Sequence, residues 1–395
     1  MLRLRSLAAC ALALVTLVAS AQTVTPRGED GTFDVAAWNI EHFGNPSLGP
    51  SDNLQFSNVE AIISGAEIDL WAVQEIGSQA QWSNLLTSLQ AEGYAGRLGP
   101  ETPGSFQLRL GFIYDPRVIS VIGTRTILPG NDFGGRQPFE LQARVTSNGQ
   151  SRTVRFISLH AKAGTGADDY QDRRDGAVAL KEYMDDRIAR GESVVLLGDY
   201  NDFLTRSTRT SESESPYAAF LDDANYIAAT LEIERNRIPT LCSSNACSSG
   251  STRDHIVFTS TLSAEYIPTS GDRYGEVLTD IQGFVSTTSD HVPVIARFGF
   301  APVSNEPEAA SGVALLAPAP HPVRGDLRVR FRLDVPGEAE VEVYDVLGRL
   351  VATASGSYAA GEHAIPVGAD LRPGAYVVRL AAAGRVVSRT IIRAE

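Results

Sequence analysis

The sequence predicts an α/β protein followed by a small all-β unit. Three observations carry this expectation. Between Phe33 and Phe300, short apolar and β-branched runs alternate with helical patterns. Residues 301–317 then lose periodicity and turn to Ala, Pro, Ser and Glu, the composition of a linker. Residues 318–395 alternate apolar and charged side chains, as strands with one buried and one wet face do. A length of 395 residues suits two or three domains. With 43% hydrophobic and 21% charged residues, disordered and fibrous classes are excluded.

The chain opens as a signal peptide over residues 1–21. Arg3 and Arg5 supply the positive start, Leu7–Ala19 the apolar stretch, and Ala19-Ser20-Ala21 the small-residue cleavage pattern before Gln22. That apolar stretch falls short of the roughly 20 residues a spanning helix needs, so no transmembrane span is expected. Lipoprotein processing at Cys10 fails because too few apolar residues precede it.

Strands are expected at Phe33–Ile40, Asp69–Glu75, Leu110–Tyr114, Phe139–Val145, Thr153–His160, Ser193–Leu197, Thr252–Phe258 and Val292–Phe298. Asn148-Gly149 signals a hairpin turn between two of them. Helices are expected at Asn53–Ala66, Gln79–Glu92 and Asp168–Ala189; in the last, Ala177, Leu180, Met184 and Ile188 mark a buried face. Hairpins mixed with helical crossovers imply either one mixed sheet or two stacked sheets flanked by helices. In the tail, Leu327, Val329, Phe331 and Leu333 alternate with Arg328, Arg330 and Arg332, which suits a small β-sandwich.

Residues 22–300 hold 22 Lys and Arg against 36 Asp and Glu, a net −14. Such a surface excludes a general nucleic-acid coating protein but allows local phosphate binding through a metal. After the signal segment, Cys242 and Cys247 remain as an even pair in an oxidising compartment. A local disulfide is expected there, with two exposed thiols as the alternative.

Six segments place polar residues where apolar strands stop: Trp38-Asn39-Ile40-Glu41, Gln74-Glu75, Ser158-Leu159-His160, Gly198-Asp199-Tyr200-Asn201, Arg253-Asp254-His255 and Ser289-Asp290-His291. Singly, each reads as a cap, a turn or a surface pair. Together they offer acidic and amide oxygens suited to a hard divalent cation, and histidines able to move protons near neutral pH. No Gly-rich phosphate loop and no Gly-x-Ser-x-Gly turn occurs, which argues against P-loop NTPases and serine hydrolases.

In this order the six segments resemble the endonuclease/exonuclease/phosphatase superfamily, which includes deoxyribonuclease I, over about residues 33–300. The resemblance implies two packed mixed sheets with helices outside, a four-layer sandwich, and metal-dependent hydrolysis of a phosphate ester. It implies that Glu75 is the main Mg²⁺ ligand, with Mn²⁺ or Ca²⁺ as alternatives, and that Asn39 stands beside it. Asp290 resembles a second ligand or the orienter of His291, and Glu41 stands where some relatives have an acidic ligand. His291 resembles the residue that activates water or stabilises the phosphorane, with Asp254 as its carboxylate partner. Asp199 and Asn201 resemble the pair that positions the attacking water, and His160 a second active-site histidine. Arg109 and Arg136 are candidates to grip a substrate phosphate, and Arg173 is a weaker one.

Three positions invite separate expectations. His255 stands where the family has an aromatic residue and is expected to pack as a half-buried ring. His42 is expected to face solvent. Leu108 occupies the place of the carboxylate that partners the first histidine in the deoxyribonuclease I branch. His160 is therefore expected to act without a charged partner, as a neutral donor to phosphate.

In the tail, Val341–Asp345 with Val346-Leu347-Gly348-Arg349, then Leu371-Arg372-Pro373-Gly374-Ala375-Tyr376, resembles the C-terminal sorting domain of type IX secretion cargo. The alternative is a generic immunoglobulin-like adhesion module. The resemblances imply a secreted or cell-surface protein whose tail meets the outer-membrane secretion machinery. The expected activity is that of a nuclease on extracellular DNA or RNA, acting as a monomer. Rival readings are a phosphatase or sphingomyelinase-like phosphodiesterase on the same site, and a non-enzymatic surface binding module.

Overall fold

The computed structural model describes residues 23–102, 107–129, 133, 136–300, 313–316, 327–345, 349–367, 371–382 and 385–393. The signal peptide, Cys10 and most of the expected linker lie outside the described residues. The chain forms two compact units, Met1–Phe300 and Ala301–Glu395.

The first unit runs β1 (Phe33–Phe43), α1 (Asp52–Gly65), β2 (Leu70–Ile76), α2 (Gln79–Leu89), β3 (Ala95–Leu98) and β4 (Arg109–Tyr114). Next come β5 (Ile119–Thr126), β6 (Phe139–Ser147), β7 (Gln150–His160), α3 (Ala167–Ala189), β8 (Ser193–Asp199) and β9 (Tyr226–Ala228). It closes with β10 (Leu241–Cys242), β11 (Gly250–Ser251), β12 (Asp254–Thr259), β13 (Asp272–Arg273) and β14 (Val294–Phe298). Among the described residues these strands build two six-stranded sheets, ordered β13-β14-β1-β2-β4-β3 and β5-β6-β7-β8-β12-β9. Each sheet holds one parallel pair, β1 with β2 and β7 with β8, joined by the helical crossovers α1 and α3. A parallel pair needs such a crossover, whereas Asn148 and Gly149, both at positive φ, turn β6 into β7 directly.

Packing follows from which faces are apolar. Val35, Ala72, Phe112, Phe156, Leu197 and Ile256 belong to a core that draws on strands of both sheets. Val59, Ile62 and Leu85 bury the outer face of the first sheet under α1 and α2. Leu180 and Met184 do the same for α3 on the second. The result is a four-layer sandwich, and strands covered on both faces read as continuous apolar runs. Among the described residues, no helix is long and apolar enough to cross a membrane.

The second unit is all β. Its sheets are ordered β15-β16-β19 and β18-β17-β20-β21, from β15 (Val313–Leu316), β16 (Arg328–Leu333), β17 (Gly337–Asp345), β18 (Leu350–Tyr358), β19 (Gly361–Pro366), β20 (Gly374–Ala382) and β21 (Arg385–Arg393). Val329, Phe331, Val341, Val343, Val378 and Leu380 from the two sheets share one core. The linker expected over 301–317 ends too late. Val313–Leu316 pairs with Arg328–Leu333, because its four apolar residues cover the edge of that sheet.

Candidate active site

Parallel pairing brings the C-terminal ends of β1, β2, β7 and β8 to one pole of the sandwich. His160 lies opposite Asp199 in register, and antiparallel β12 sets Asp254 opposite Asp199 from the other side. Gly198 permits this approach. It sits at φ +149°, and a Cβ there would lie 2.0 Å from the Leu159 carbonyl oxygen. Ser289-Asp290-His291 closes the pole just before β14.

The polar groups interlock across the sheets. Asn39 Nδ2 donates to Glu75 Oε1 and to Asp199 Oδ2, both at 3.1 Å. Asn201 bonds Asp199 twice, through its backbone N–H at 2.8 Å and its Nδ2 at 3.2 Å. His291 Nδ1 donates to Asp254 Oδ2 at 2.8 Å, and its Nε2 lies 3.8 Å from Asp199 Oδ2. Trp38 Nε1 holds the His291 carbonyl at 2.8 Å. Beneath the site, Gln74 Nε2 donates to Ser158 Oγ at 3.1 Å and ties the sheets together.

Backbone strain is present here. Glu41, His42, Glu75 and Asn201 all sit at positive φ, between 42° and 63°, a region costly for residues with a Cβ. Gln55 of α1 holds the first of these turns, its Nε2 reaching the carbonyls of Ile40, Glu41 and Thr288. Asn58 reaches the Thr288 hydroxyl at 2.8 Å. Thr240 Oγ1 accepts from the backbone N–H groups of Arg253 and Asp254. Sequence reasoning missed these three positioning residues. Polar residues at buried helical positions, as Gln55 and Asn58 are, were the available signal.

Electrostatics separates the two histidines. Burial alone would lower His291, but Asp254, Asp199 and Asp290 outweigh it and hold the imidazole well above its ordinary value. Burial first, then the Arg136 guanidinium, drives His160 down to about 3. Asp199 is pushed up to about 6 by burial and by Asp254. Glu41 rises to about 7 through burial and the charges of Asp290 and Glu75, and Asp290 is raised by burial and by Glu75.

This crowding of carboxylates fits a divalent cation. Glu41 and Asp290 are both raised by burial and by the neighbouring Glu75 carboxylate, whereas His160 and His42 hold Glu75 below its ordinary value against burial, and oxygen donors suit a hard ion. Asp199, Asp254 and His291 also bring ligand atoms within 4.8 Å of one another, but Asp254 and His291 are already bonded to each other. Asp254, rather than Asp290, therefore orients His291.

Several expectations are corrected. Arg109, expected to be free for a phosphate, is paired with Glu101. Arg173 is fully buried against Asp202 at 2.9 Å and holds the carbonyls of Lys162 and Gly164, so it supports loops beneath the site. His42 turns inward, its Nε2 3.6 Å from Glu75 Oε2 and its backbone N–H 3.1 Å from the same oxygen. His255 is wholly buried, edge-on to Tyr200, with Nε2 3.2 Å from the Asp202 carbonyl.

His160 is the sharpest correction. Leu108 is buried, yet the His160 Nε2 meets Glu75 Oε1 at 3.5 Å, Asp199 Oδ2 at 3.7 Å and Arg136 Nη1 at 3.1 Å. A guanidinium can only donate, so Nε2 accepts and is not a donor to phosphate in this geometry. Arg136 also donates to the Ala161 carbonyl at 3.0 Å, which holds its guanidinium beside His160. Cys242 and Cys247 are joined in a disulfide, and both are buried.

A two-sheet sandwich with this polar pole defines a class of phosphate-ester hydrolases. The chain belongs to the endonuclease/exonuclease/phosphatase family, whose model matches residues 36–291. Residues 319–394 match the secretion system C-terminal sorting domain, so the protein is secreted or displayed at the cell surface. No curated protein sequence matches the chain. Similar solved structures share its fold. An endonuclease/exonuclease/phosphatase protein from Bacteroides vulgatus is 16% identical, with 68% of this chain and 98% of that one covered and a TM-score of 0.50. The human Nocturnin catalytic domain is 16% identical, with 70% and 100% covered and a TM-score of 0.49. A mannosyl-6-phosphatase from Bacteroides thetaiotaomicron is 14% identical, with 68% and 100% covered and a TM-score of 0.48.

Proposed function

We propose that the protein is a divalent-metal-dependent nuclease that hydrolyses phosphodiester bonds of extracellular DNA or RNA. The observation that carries this reading is the Asp254–His291 pair facing Asp199 across 3.8 Å, beside a crowded set of carboxylates. Glu75 and Asp290 hold the ion, Mg²⁺ or Mn²⁺, with Asn39 and Glu41 beside them. When bound, the ion supplies charge neutralisation to the phosphate and to the leaving oxygen. Asp199, poised at about 6 and oriented by Asn201, accepts the proton of the attacking water. His291, held protonated by its three carboxylates, donates from Nε2 to a phosphate oxygen. Arg136 adds a second cation on the His160 side.

The test presents the purified full chain, with Mg²⁺, Mn²⁺ or Ca²⁺, to plasmid DNA, RNA, sphingomyelin and a phosphomonoester. Strand cleavage that stops in excess EDTA is expected. Glu75→Gln should lower turnover by at least about 10²-fold and weaken metal binding in calorimetry, with an unchanged circular dichroism spectrum. Full turnover in EDTA, or turnover of sphingomyelin or the monoester alone, would sink the proposal.

A further inference from the structure

The loop after Asn201 carries a feature that hydrolysis itself does not use. Phe203 is only 7% exposed, and two guanidinium groups lie over its ring. Arg206 Cζ is 3.5 Å from the ring centroid and Arg253 Cζ is 5.2 Å away. Arg253 is fixed in place, with Nε donating to Ser251 Oγ at 2.8 Å and Nη1 to the Asn201 carbonyl at 2.7 Å. Arg206 is exposed and makes no ion pair among the described residues.

The loop is built to present this residue. Asp202, wholly buried, accepts from the Thr208 N–H at 2.6 Å and from Arg173 Nε at 2.9 Å. Glu234, 5% exposed, accepts from the N–H groups of Leu204 at 2.6 Å and Thr205 at 3.0 Å. Two buried carboxylates thus set the backbone on either side of Arg206. Contact with the Phe203 ring restrains the guanidinium while the side chain stays exposed, a preorganisation that lowers the cost of binding an anion.

Its place matters as much as its charge. Asn201 reaches two ways: its side chain donates to the Ala161 carbonyl, which Arg136 also uses, and its backbone carbonyl holds Arg253. Arginines therefore stand to both sides of the turn that follows Asp199, in a unit whose net charge of −14 repels polyanions elsewhere. A substrate with one phosphate needs only the groups around Asp199 and His291. A strand brings further phosphates past that point.

We propose that Arg206, stacked on Phe203 beside Arg253, binds a phosphate flanking the scissile one, and so selects phosphodiester chains over substrates with a single phosphate. The inference rests on the phosphodiesterase reading above and names its substrate class. The ligand chemistry is a polynucleotide backbone, and DNA and RNA are separate arms of the test.

The experiment compares the full chain with Arg206→Ala and Arg206→Lys on three substrates: bis(p-nitrophenyl) phosphate, a single-stranded DNA and an RNA of the same length. Arg206→Ala should raise KM about tenfold on at least one strand, the worth of one charged hydrogen bond, and leave bis(p-nitrophenyl) phosphate unchanged. Arg206→Lys should recover part of the loss. Replacing one flanking linkage by a neutral methylphosphonate should cost the wild type as much, after which Arg206→Ala should add nothing. Equal losses on all three substrates, no loss on either strand, or independent losses from the variant and the methylphosphonate would each overturn the proposal. A wild type inert toward bis(p-nitrophenyl) phosphate and both strands would instead remove the phosphodiesterase reading, and the subsite with it.

Discussion

His160 and His291 carry the same ring at the same pole and are driven to opposite protonation states. The difference lies in their neighbours: a guanidinium against His160 Nε2, three carboxylates around His291. A neutral ring already accepting from Arg136 contributes less to a developing charge than an imidazolium does. His291→Ala should cost roughly 10²–10³ in kcat, and His160→Ala clearly less, in steady-state assays of both variants. The reverse ranking would show that the roles are exchanged. Both rings were legible in the sequence because each ends an apolar run, but their partners were not. Arg136 comes from a separate loop, and no spacing records that it touches His160. A second residue behaves unusually at the far end of the sandwich. Asp69 is pushed up to about 7 by burial and by the charges of Asp34 and Asp115. A carboxyl raised on folding costs nothing below its unfolded value of 3.8, and stability is lost as pH rises through about 7. Asp69→Asn should therefore melt with the wild type near its acid limit and be more stable at about pH 8. The expected gain is on the order of 2 kcal/mol, allowing for partial exposure. Matched pH-dependent melting curves check it.

At the scale of elements, the hairpin β10–β11 links two motifs that lie far apart in sequence. Cys242 N–H donates to the Asp290 carbonyl at 2.8 Å, Leu241 bridges to His291, and Thr240 Oγ1 holds the Asp254 N–H at 3.1 Å. The Cys242–Cys247 bond closes this hairpin at its tip. A loop this short confers about 2 kcal/mol by restricting the unfolded chain. The double variant Cys242→Ser/Cys247→Ser should lose about that much in urea unfolding. Its kcat should fall more than its substrate affinity, because Asp254 and Asp290 both lean on the hairpin. An unchanged kcat would separate the disulfide from the site. The sequence announced the local bond, since two cysteines were left in one polar loop, but not that the hairpin braces the site. Strand detection divides along the same line. The buried β8 shows as an unbroken apolar run, whereas β5, mostly exposed at a sheet edge, carries no such run and was missed. In β1, the register shift between Asn39 and Phe43 extends the strand past Ile40, because Glu41 and His42 turn at positive φ under the grip of Gln55.

At the scale of the whole molecule, chemistry and export occupy separate units. Every residue assigned to hydrolysis lies between Asn39 and His291, while the sorting domain is matched at 319–394. Because β15 begins at Val313, a clean cut belongs after Phe300 rather than at 318. A chain ending there should keep the turnover of the full protein in vitro and fail to reach the cell surface in a secreting host. Loss of turnover in a well-folded truncation would mean that the tail helps build the site. The sequence by itself determined the fold class, most of the buried strands, the six polar segments and the sorting tail. Each is written in local periodicity or in residues a few positions apart, and burial imposes that pattern directly. Only the tertiary structure decided which charges meet: Arg109 neutralised by Glu101, Arg136 on His160, Asp254 rather than Asp290 on His291, and Arg206 stacked on Phe203. Those pairings depend on strand register, on sheet-to-sheet packing and on loop geometry, and a protonation state follows from the neighbours that folding assembles, not from the residues adjacent in the chain.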